Sequence, residues 1–221
     1  VYKRQVLQAP VQLLSQSIAQ VFLSGAGASY RQGRLPEYTG MLLHRLVAVA
    51  AAPALLFILV APALFAGLFG EPWRDAGHYA RWLTPYVFVT FISAHLPGTV
   101  IVLGLQRGEF VFQVVLLLVR TGVLLAGAIL AGPLFTVALY AGVSVLLLSG
   151  YSCWLLRKVK CTAMPLLQNV GRELAVSTIL AGPACAGWLL FDNQYRWVMV
   201  MLSLCLVAWY TLRTVRDLWS D

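Results

Sequence analysis

The chain has 221 residues, of which 60% are hydrophobic and only 11% charged, and its formal net charge is +8. An average soluble domain is roughly 45–50% apolar and about 25% charged, so this composition leaves too little polar surface to cover a water-facing particle. The Lys and Arg residues lie between long apolar runs, which suits a membrane surface or an anionic substrate and argues against nucleic acid as a partner.

Seven segments in chain order have the length that predicts membrane-spanning helices, about 20 residues each. The first, over residues 2–28, is helical in pattern but more polar than the others. The sequence therefore predicts an all-α, polytopic transmembrane bundle of about seven helices. The six later segments are apolar and cover residues 46–69, 82–104, 110–130, 133–156, 174–191 and 197–212.

The distribution of Lys and Arg predicts how the bundle is oriented, because these residues concentrate on the cytoplasmic side of membrane proteins. The side reached at the end of the first segment carries the larger share of them. That side is therefore predicted to be cytoplasmic, and the connection at residues 70–75 is placed on the outer side.

Four glutamines, Gln8, Gln12, Gln16 and Gln20, recur at every fourth position of the first segment. Steps of four residues drift by only about 40° around a helix, so these amides form one polar face, on which Arg4 also lies. An unpaired buried amide costs several kcal/mol, so this face must meet protein or water. Two interpretations stay open: hydrogen bonding between helices, and the wall of a hydrated cavity that binds a polar cargo.

Arg120 lies at the midpoint of the segment predicted over residues 110–130, where a charge costs at least about 2.5–3.5 kcal/mol. No Asp or Glu falls within the later predicted spans, so the sequence shows no counter-ion at that depth. Arg120 is predicted either to line a polar cavity or to pair with a carbonyl or an acid elsewhere. His95 is a candidate proton relay because of its titration range, with a hydrogen-bonded structural histidine as the alternative.

The remaining polar and reactive residues are given structural roles. The four cysteines show no C-x-x-C spacing and no histidine cluster accompanies them, so neither a metal site nor a cofactor is expected. Glu109 and Glu173 are placed at predicted helix starts, where acids favour the helix dipole. Prolines such as Pro62, Pro97 and Pro183 fall inside predicted spans, either as packing features or as hinges.

Three stretches of the sequence resemble one family of membrane transporters. They are YKRQVLQAP at 2–10 with SIAQVF at 17–22 and RQGR at 31–34, FGEPWRDAGHYAR at 69–81, and LGLQR at 103–107 followed by Phe112 and Gln113. The second stretch contains the pattern F-G-x-x-W-x-x-A-G-x-Y. These residues resemble the oligosaccharide flippases, the Wzx-type polysaccharide biosynthesis transporters of the MOP superfamily, to which the MATE exporters also belong.

The resemblance implies two six-helix lobes around a central cavity, often with two further helices at the C-terminus. Residues 1–156 would then form most of the second lobe, without its first helix. Residues 157–221 would form a cytoplasmic linker and the two additional helices. The N-terminal lobe of the same protein would be a partner of this chain.

The resemblance also implies a function, namely flipping a lipid-linked oligosaccharide across the bacterial cytoplasmic (inner) membrane by alternating access, for cell-surface polysaccharide biosynthesis. The cargo would be carried on a polyprenyl pyrophosphate, and Arg120 and Arg4 are the positions that could attract it. Such a chain is not an enzyme.

Three alternatives stay open, and one of them is a scaffold without transport activity. A MATE-type exporter of small molecules would favour cationic cargo and acidic cavity residues. A polyprenyl-dependent membrane glycosyltransferase would need acids on an ordered outer loop, where Glu71 and Asp75 are instead interpreted as cap and loop residues.

Overall fold

The computed structural model describes residues 25–94, 96–130, 132–161, 163–190 and 193–220. Within these ranges all side chains are described except those of residues 97, 163–167, 169, 185–190, 193–197 and 217–220. The described chain contains helices and no strand, so the all-α prediction is confirmed for it. After a helical stretch over residues 25–31, the elements are α1 (Leu35–Phe69), a 3-10 turn (Glu71–Trp73), α2 (Arg74–Ser93), α3 (Pro97–Val102), α4 (Gln106–Leu130), α5 (Pro133–Val159), α6 (Ala163–Leu190) and α7 (Asn193–Ser220).

Five segments of the described chain are long and apolar enough to cross a membrane, which indicates a membrane protein. The predicted segment over residues 2–28 lies largely outside the described residues. The one over residues 174–191 falls on α6, which is helical but is not one of the five. The five are Leu35–Phe69, Glu71–Val102, Gln106–Leu130, Pro133–Val159 and Val198–Arg216.

Helix α1 is longer than its apolar run predicts. It has 35 residues and begins at Leu35, with Pro36 in its first turn, whereas the run without charges starts at residue 46. At 1.5 Å per residue it extends over about 52 Å, more than the roughly 30 Å of a hydrocarbon core. Its first turns therefore project beyond that core, where Glu37 and Arg45 are tolerated.

The predicted span over residues 82–104 falls almost wholly within the candidate membrane segment Glu71–Val102, but its helix is not continuous. Helix α2 ends at Ser93, and the short helix α3 begins at Pro97. Proline lacks an amide proton, so Pro97 cannot donate the backbone hydrogen bond that would continue α2 into α3. Pro97 therefore lies in the first turn of a new helix within the candidate span Glu71–Val102, whereas Pro62 and Pro183 lie inside α1 and α6.

Helix α1 packs against α2, α6 and α7, while α5 packs against both α2 and α4. Ala, Val and Leu side chains make up the buried contact of α1 with α6 and α7. A second cluster joins α1, α3 and α5. The buried members of the first cluster are Ala52, Leu56, Val60, Ala181, Ala184, Val200 and Val207, and those of the second are Leu43, Leu96, Val100, Tyr151 and Leu155.

Candidate functional site

Arg120 is held between two neighbouring helices. Its Nε donates a hydrogen bond to Ser144 Oγ of α5 at 3.0 Å, and Ser144 is fully buried. Its guanidinium carbon lies 5.0 Å from the ring centroid of Tyr86 on α2 and 5.5 Å from that of Tyr140 on α5. These four residues, called the Arg120 cluster below, join three helices around one positive charge.

The two tyrosine rings of the Arg120 cluster also contact each other. Their centroids are 5.7 Å apart and their planes make an angle of 77°, an edge-to-face arrangement. A guanidinium near aromatic faces gains about 0.5–2 kcal/mol per ring, more when water is excluded. The rings and the Ser144 hydroxyl therefore stabilise the arginine within a membrane-crossing helix.

The charge of Arg120 is not neutralised by any described acid. Among the residues that the structure describes, the ion pairs are Arg34–Glu37 and Arg74–Glu71. Arginine offers five N–H donors, and only the one on Nε is used by Ser144. The half-buried guanidinium thus retains donors and charge for an anion, and its planar fork fits the oxygens of a carboxylate or a phosphate in a bidentate manner.

The other predicted site residues cannot be placed beside Arg120. Arg4, Gln8, Gln12, Gln16 and Gln20 all precede residue 25 and lie outside the described residues. His95 lies in the gap between α2 and α3, also outside the described residues. The polar face of the first segment and the proton relay therefore stay predictions.

Glu109 lies in the first turn of α4, as its sequence position predicts, and it has partners that the sequence did not indicate. One carboxylate oxygen accepts a hydrogen bond from the Tyr151 hydroxyl, and the other accepts one from Gln113 Nε2 at 2.8 Å. The Tyr151 ring stacks on Phe112 with centroids 4.3 Å apart. The start of α4 is thereby fixed to the second half of α5.

The prediction that Glu173 begins a helix is wrong. Helix α6 begins at Ala163, so Glu173 lies well inside it, and only 2% of its surface is exposed. Its Oε2 accepts a hydrogen bond from the Tyr210 hydroxyl of α7 at 2.7 Å. The polar residues before Glu173 indicated a loop. A helix can nevertheless continue through polar residues as long as its backbone hydrogen bonds continue. The clue in the sequence was Tyr210, a hydroxyl that needs a partner in an apolar helix.

The outer connection gives little support for catalysis. Both carboxylate oxygens of Glu71 accept hydrogen bonds from Arg74, at 2.7 and 2.8 Å, and the pair is largely exposed. Asp75, His78 and Tyr79 line a groove of about 600 Å³ beside the start of α5. No cluster of His, Cys, Asp and Glu in the described chain has the geometry of a metal site.

No protein-family model, curated protein or solved structure matches this chain. The fold indicates a multi-helix membrane protein, and Arg120 lies within one of the segments that are long and apolar enough to cross a membrane.

Proposed function

We propose that this chain is part of a membrane transporter that flips a lipid-linked oligosaccharide across the bacterial cytoplasmic membrane. The observation that carries the proposal is the Arg120 cluster, a half-buried guanidinium in a membrane-crossing helix with no acid among its described partners. An anion attached to a lipid can reach such a charge from within the bilayer. The sequence resemblance to Wzx-type flippases agrees with this cargo.

The residues of the cluster have distinct roles in this proposal. Arg120 binds the pyrophosphate that links glycan to lipid, because a guanidinium fits phosphate oxygens in a bidentate manner. Ser144 holds Nε and so fixes the plane of the guanidinium. The Tyr86 and Tyr140 rings keep the positive charge in place while no cargo is bound. Transport breaks no bond in the cargo, so no residue is assigned to catalysis.

A MATE-type exporter of cationic molecules is the second candidate, and Glu173 favours it. This carboxylate is buried between α6 and α7, and the Tyr210 hydroxyl is the partner that the structure describes for it. A buried acid attracts a cation, whereas Arg120 repels one. Because cationic and anionic cargo require different residues, variants of the two positions distinguish the proposals.

The test replaces Arg120 by Ala in the native gene and measures polysaccharide at the cell surface. Loss of a charged phosphate contact costs about 1.5–3 kcal/mol, so export should fall by roughly ten- to a hundredfold. Membrane abundance should not change, and Arg120→Lys should restore export only in part because Lys lacks the planar fork.

Arg213→Ala is the matched control. Arg213 also lies over an aromatic ring, 5.5 Å from the centroid of Trp209, but it is exposed on α7. This variant should export normally. Normal export by Arg120→Ala would contradict the flippase proposal, and loss of resistance to cationic compounds in Glu173→Gln, with normal polysaccharide, would favour the exporter.

A further inference from the structure

A groove of about 640 Å³ runs between α4 and α5, apart from the Arg120 cluster. Nearly all of its wall is apolar or aromatic, and a single charged residue lies at one end of it. Its lining residues on α4 are Arg107, Gly108, Val111 and Phe112, and those on α5 are Leu146, Leu147, Gly150, Tyr151 and Trp154.

The groove is a narrow space, called the slot below, that is open to the outside of the helix pair. Val111 is 60% exposed and Leu146 is 73% exposed, so both present apolar surface outward. At Gly150 an added Cβ would meet nothing within 4 Å, whereas at Gly108 it would lie 2.9 Å from the Trp154 ring. The slot is therefore closed beside Gly108 by Trp154 and empty beside Gly150, with room for a hydrocarbon chain.

The charged end of the groove is basic. Arg107 is exposed and makes no hydrogen bond or ion pair with any residue that the structure describes. Gly108 lies against the Trp154 ring, so the start of α4 is beside the end of α5. The last turn of α5 contains Arg157 and Lys158. Three cations thus gather at one end of the helix pair, which the Lys/Arg distribution predicts to face the cytoplasm.

Glu109 is the acid nearest to Arg107 in the sequence, and the three cations outnumber it. It is not among the residues that line the groove, and both of its carboxylate oxygens accept hydrogen bonds, from Tyr151 and Gln113. Arg107 is left as the charged group at the mouth of an apolar slot. An amphiphile with one anionic head and a long hydrocarbon chain matches both properties.

We propose that this groove binds an anionic phospholipid of the surrounding bilayer. One acyl chain lies along Val111, Leu146 and Leu147, beside the open space at Gly150, and the headgroup phosphate contacts Arg107. This site is independent of the proposed transport function, because it faces outward on α4 and α5 and uses no residue of the Arg120 cluster.

The experiment measures binding of fluorescent phosphatidylglycerol to the full chain in a neutral detergent. In Arg107→Gln the dissociation constant should rise by about tenfold, since one charge-assisted phosphate contact is lost. In Gly150→Leu it should rise similarly, because a Cβ at this position meets nothing within 4 Å and the longer side chain would occupy the slot. Arg31→Gln is the control: it removes the same charge from an exposed residue outside the groove and should bind like the original chain.

Phosphatidylcholine and inorganic phosphate serve as competitors. Weak competition by both supports an anionic lipid. Equal competition by phosphatidylcholine, or displacement by inorganic phosphate alone, would overturn the proposal, as would unchanged affinity in either Arg107→Gln or Gly150→Leu. A circular dichroism spectrum of each variant, matching that of the original chain, ensures that lost binding does not reflect lost folding.

Discussion

Gly77 determines how closely α2 approaches α1. A Cβ at this position would lie 2.4 Å from the Cα of Pro62 and 2.7 Å from the carbonyl oxygen of Ala61. These are backbone atoms, so no side-chain rotation can relieve the overlap. Nearby, Arg81 Nη2 donates a hydrogen bond to the Leu59 carbonyl at 3.1 Å, which adds a polar contact to the same helix pair.

Gly77→Ala should therefore lower the free energy of unfolding by about 1–3 kcal/mol, because the two helices must separate. The measurement is reversible denaturation in detergent micelles followed by circular dichroism. Gly122→Ala is the matched control: a Cβ there meets nothing within 4 Å, and alanine favours a helix over glycine by up to about 1 kcal/mol. Equal stability of the two variants would contradict the close contact.

Cys161 is the residue for which the structure predicts a pH effect. It follows α5, outside the five candidate spans, and burial raises the pKa of its thiol above the ordinary value. Because the thiolate is the reactive form, maleimide labelling of the folded chain should require a higher pH than labelling of the unfolded chain. The neutral thiol stabilises the fold below the unfolded pKa, and this contribution is lost as the pH rises through the folded pKa.

The measurement uses a variant in which Cys161 is the single cysteine, the other three being replaced by alanine. Labelling rates are recorded against pH in mild detergent and again in a denaturing concentration of dodecyl sulfate. The folded profile should be displaced toward alkaline pH. Two coincident profiles would show that burial does not affect this thiol.

At the scale of the elements, three helix ends share one backbone motif. The stretch over residues 25–31, α3 and α5 each end at a residue with positive φ, namely Gly33 (70°), Gly104 (69°) and Lys160 (63°). In each case the next residue donates a backbone hydrogen bond to the carbonyl five positions earlier, as Cys161 does to Leu156 at 3.0 Å. This is the Schellman arrangement, in which glycine is normally preferred. Lys160 is the non-glycine exception among the described residues.

Lys160→Gly should therefore raise the free energy of unfolding by about 0.5–1 kcal/mol, because glycine adopts positive φ without a steric cost. Gly104→Ala should lower it by about 1 kcal/mol for the opposite reason, since open space around Gly104 leaves only the backbone cost. Both are measured by denaturation in micelles. A destabilised Lys160→Gly would mean that the lysine side chain contributes more than its backbone costs.

At the scale of the whole molecule, much of the apolar surface points outward. Ile129 and Leu130 are 82% and 83% exposed, and Phe110 is 70% exposed at the other end of the same helix. In water these side chains would be costly, whereas in a bilayer they meet lipid chains of equal polarity. The exposed apolar surface thus agrees with the composition, and both indicate a membrane protein.

The orientation of this molecule is testable with cysteines at the two ends of α5, introduced into a background without other cysteines. Gly132→Cys should react with an impermeant maleimide in intact cells, whereas Lys158→Cys should react only after permeabilisation. Both positions are exposed, and the basic end of α5 belongs on the cytoplasmic side. The reverse labelling pattern would contradict the orientation predicted from Lys and Arg.

The sequence alone predicted the helical class and the apolar segments that are long enough to cross a membrane. Both predictions follow from run length and apolar content, which depend only on residues that are neighbours in the chain. Run length and apolar content misplaced two helix boundaries. One is at Pro97, where a new helix begins, and the other is before Glu173, where α6 continues through polar residues. Helix propensity and hydropathy do not show which backbone hydrogen bonds form at the end of a helix.

Only the tertiary structure decided the partners of the polar side chains. The bond from Arg120 to Ser144 spans 24 positions of the chain, and the one from Tyr210 to Glu173 spans 37. Such pairs depend on how each helix is rotated about its axis. Helices that are apolar nearly all round carry little information about that rotation, so the sequence identified Arg120 as unusual but not the tyrosines and serine that hold it.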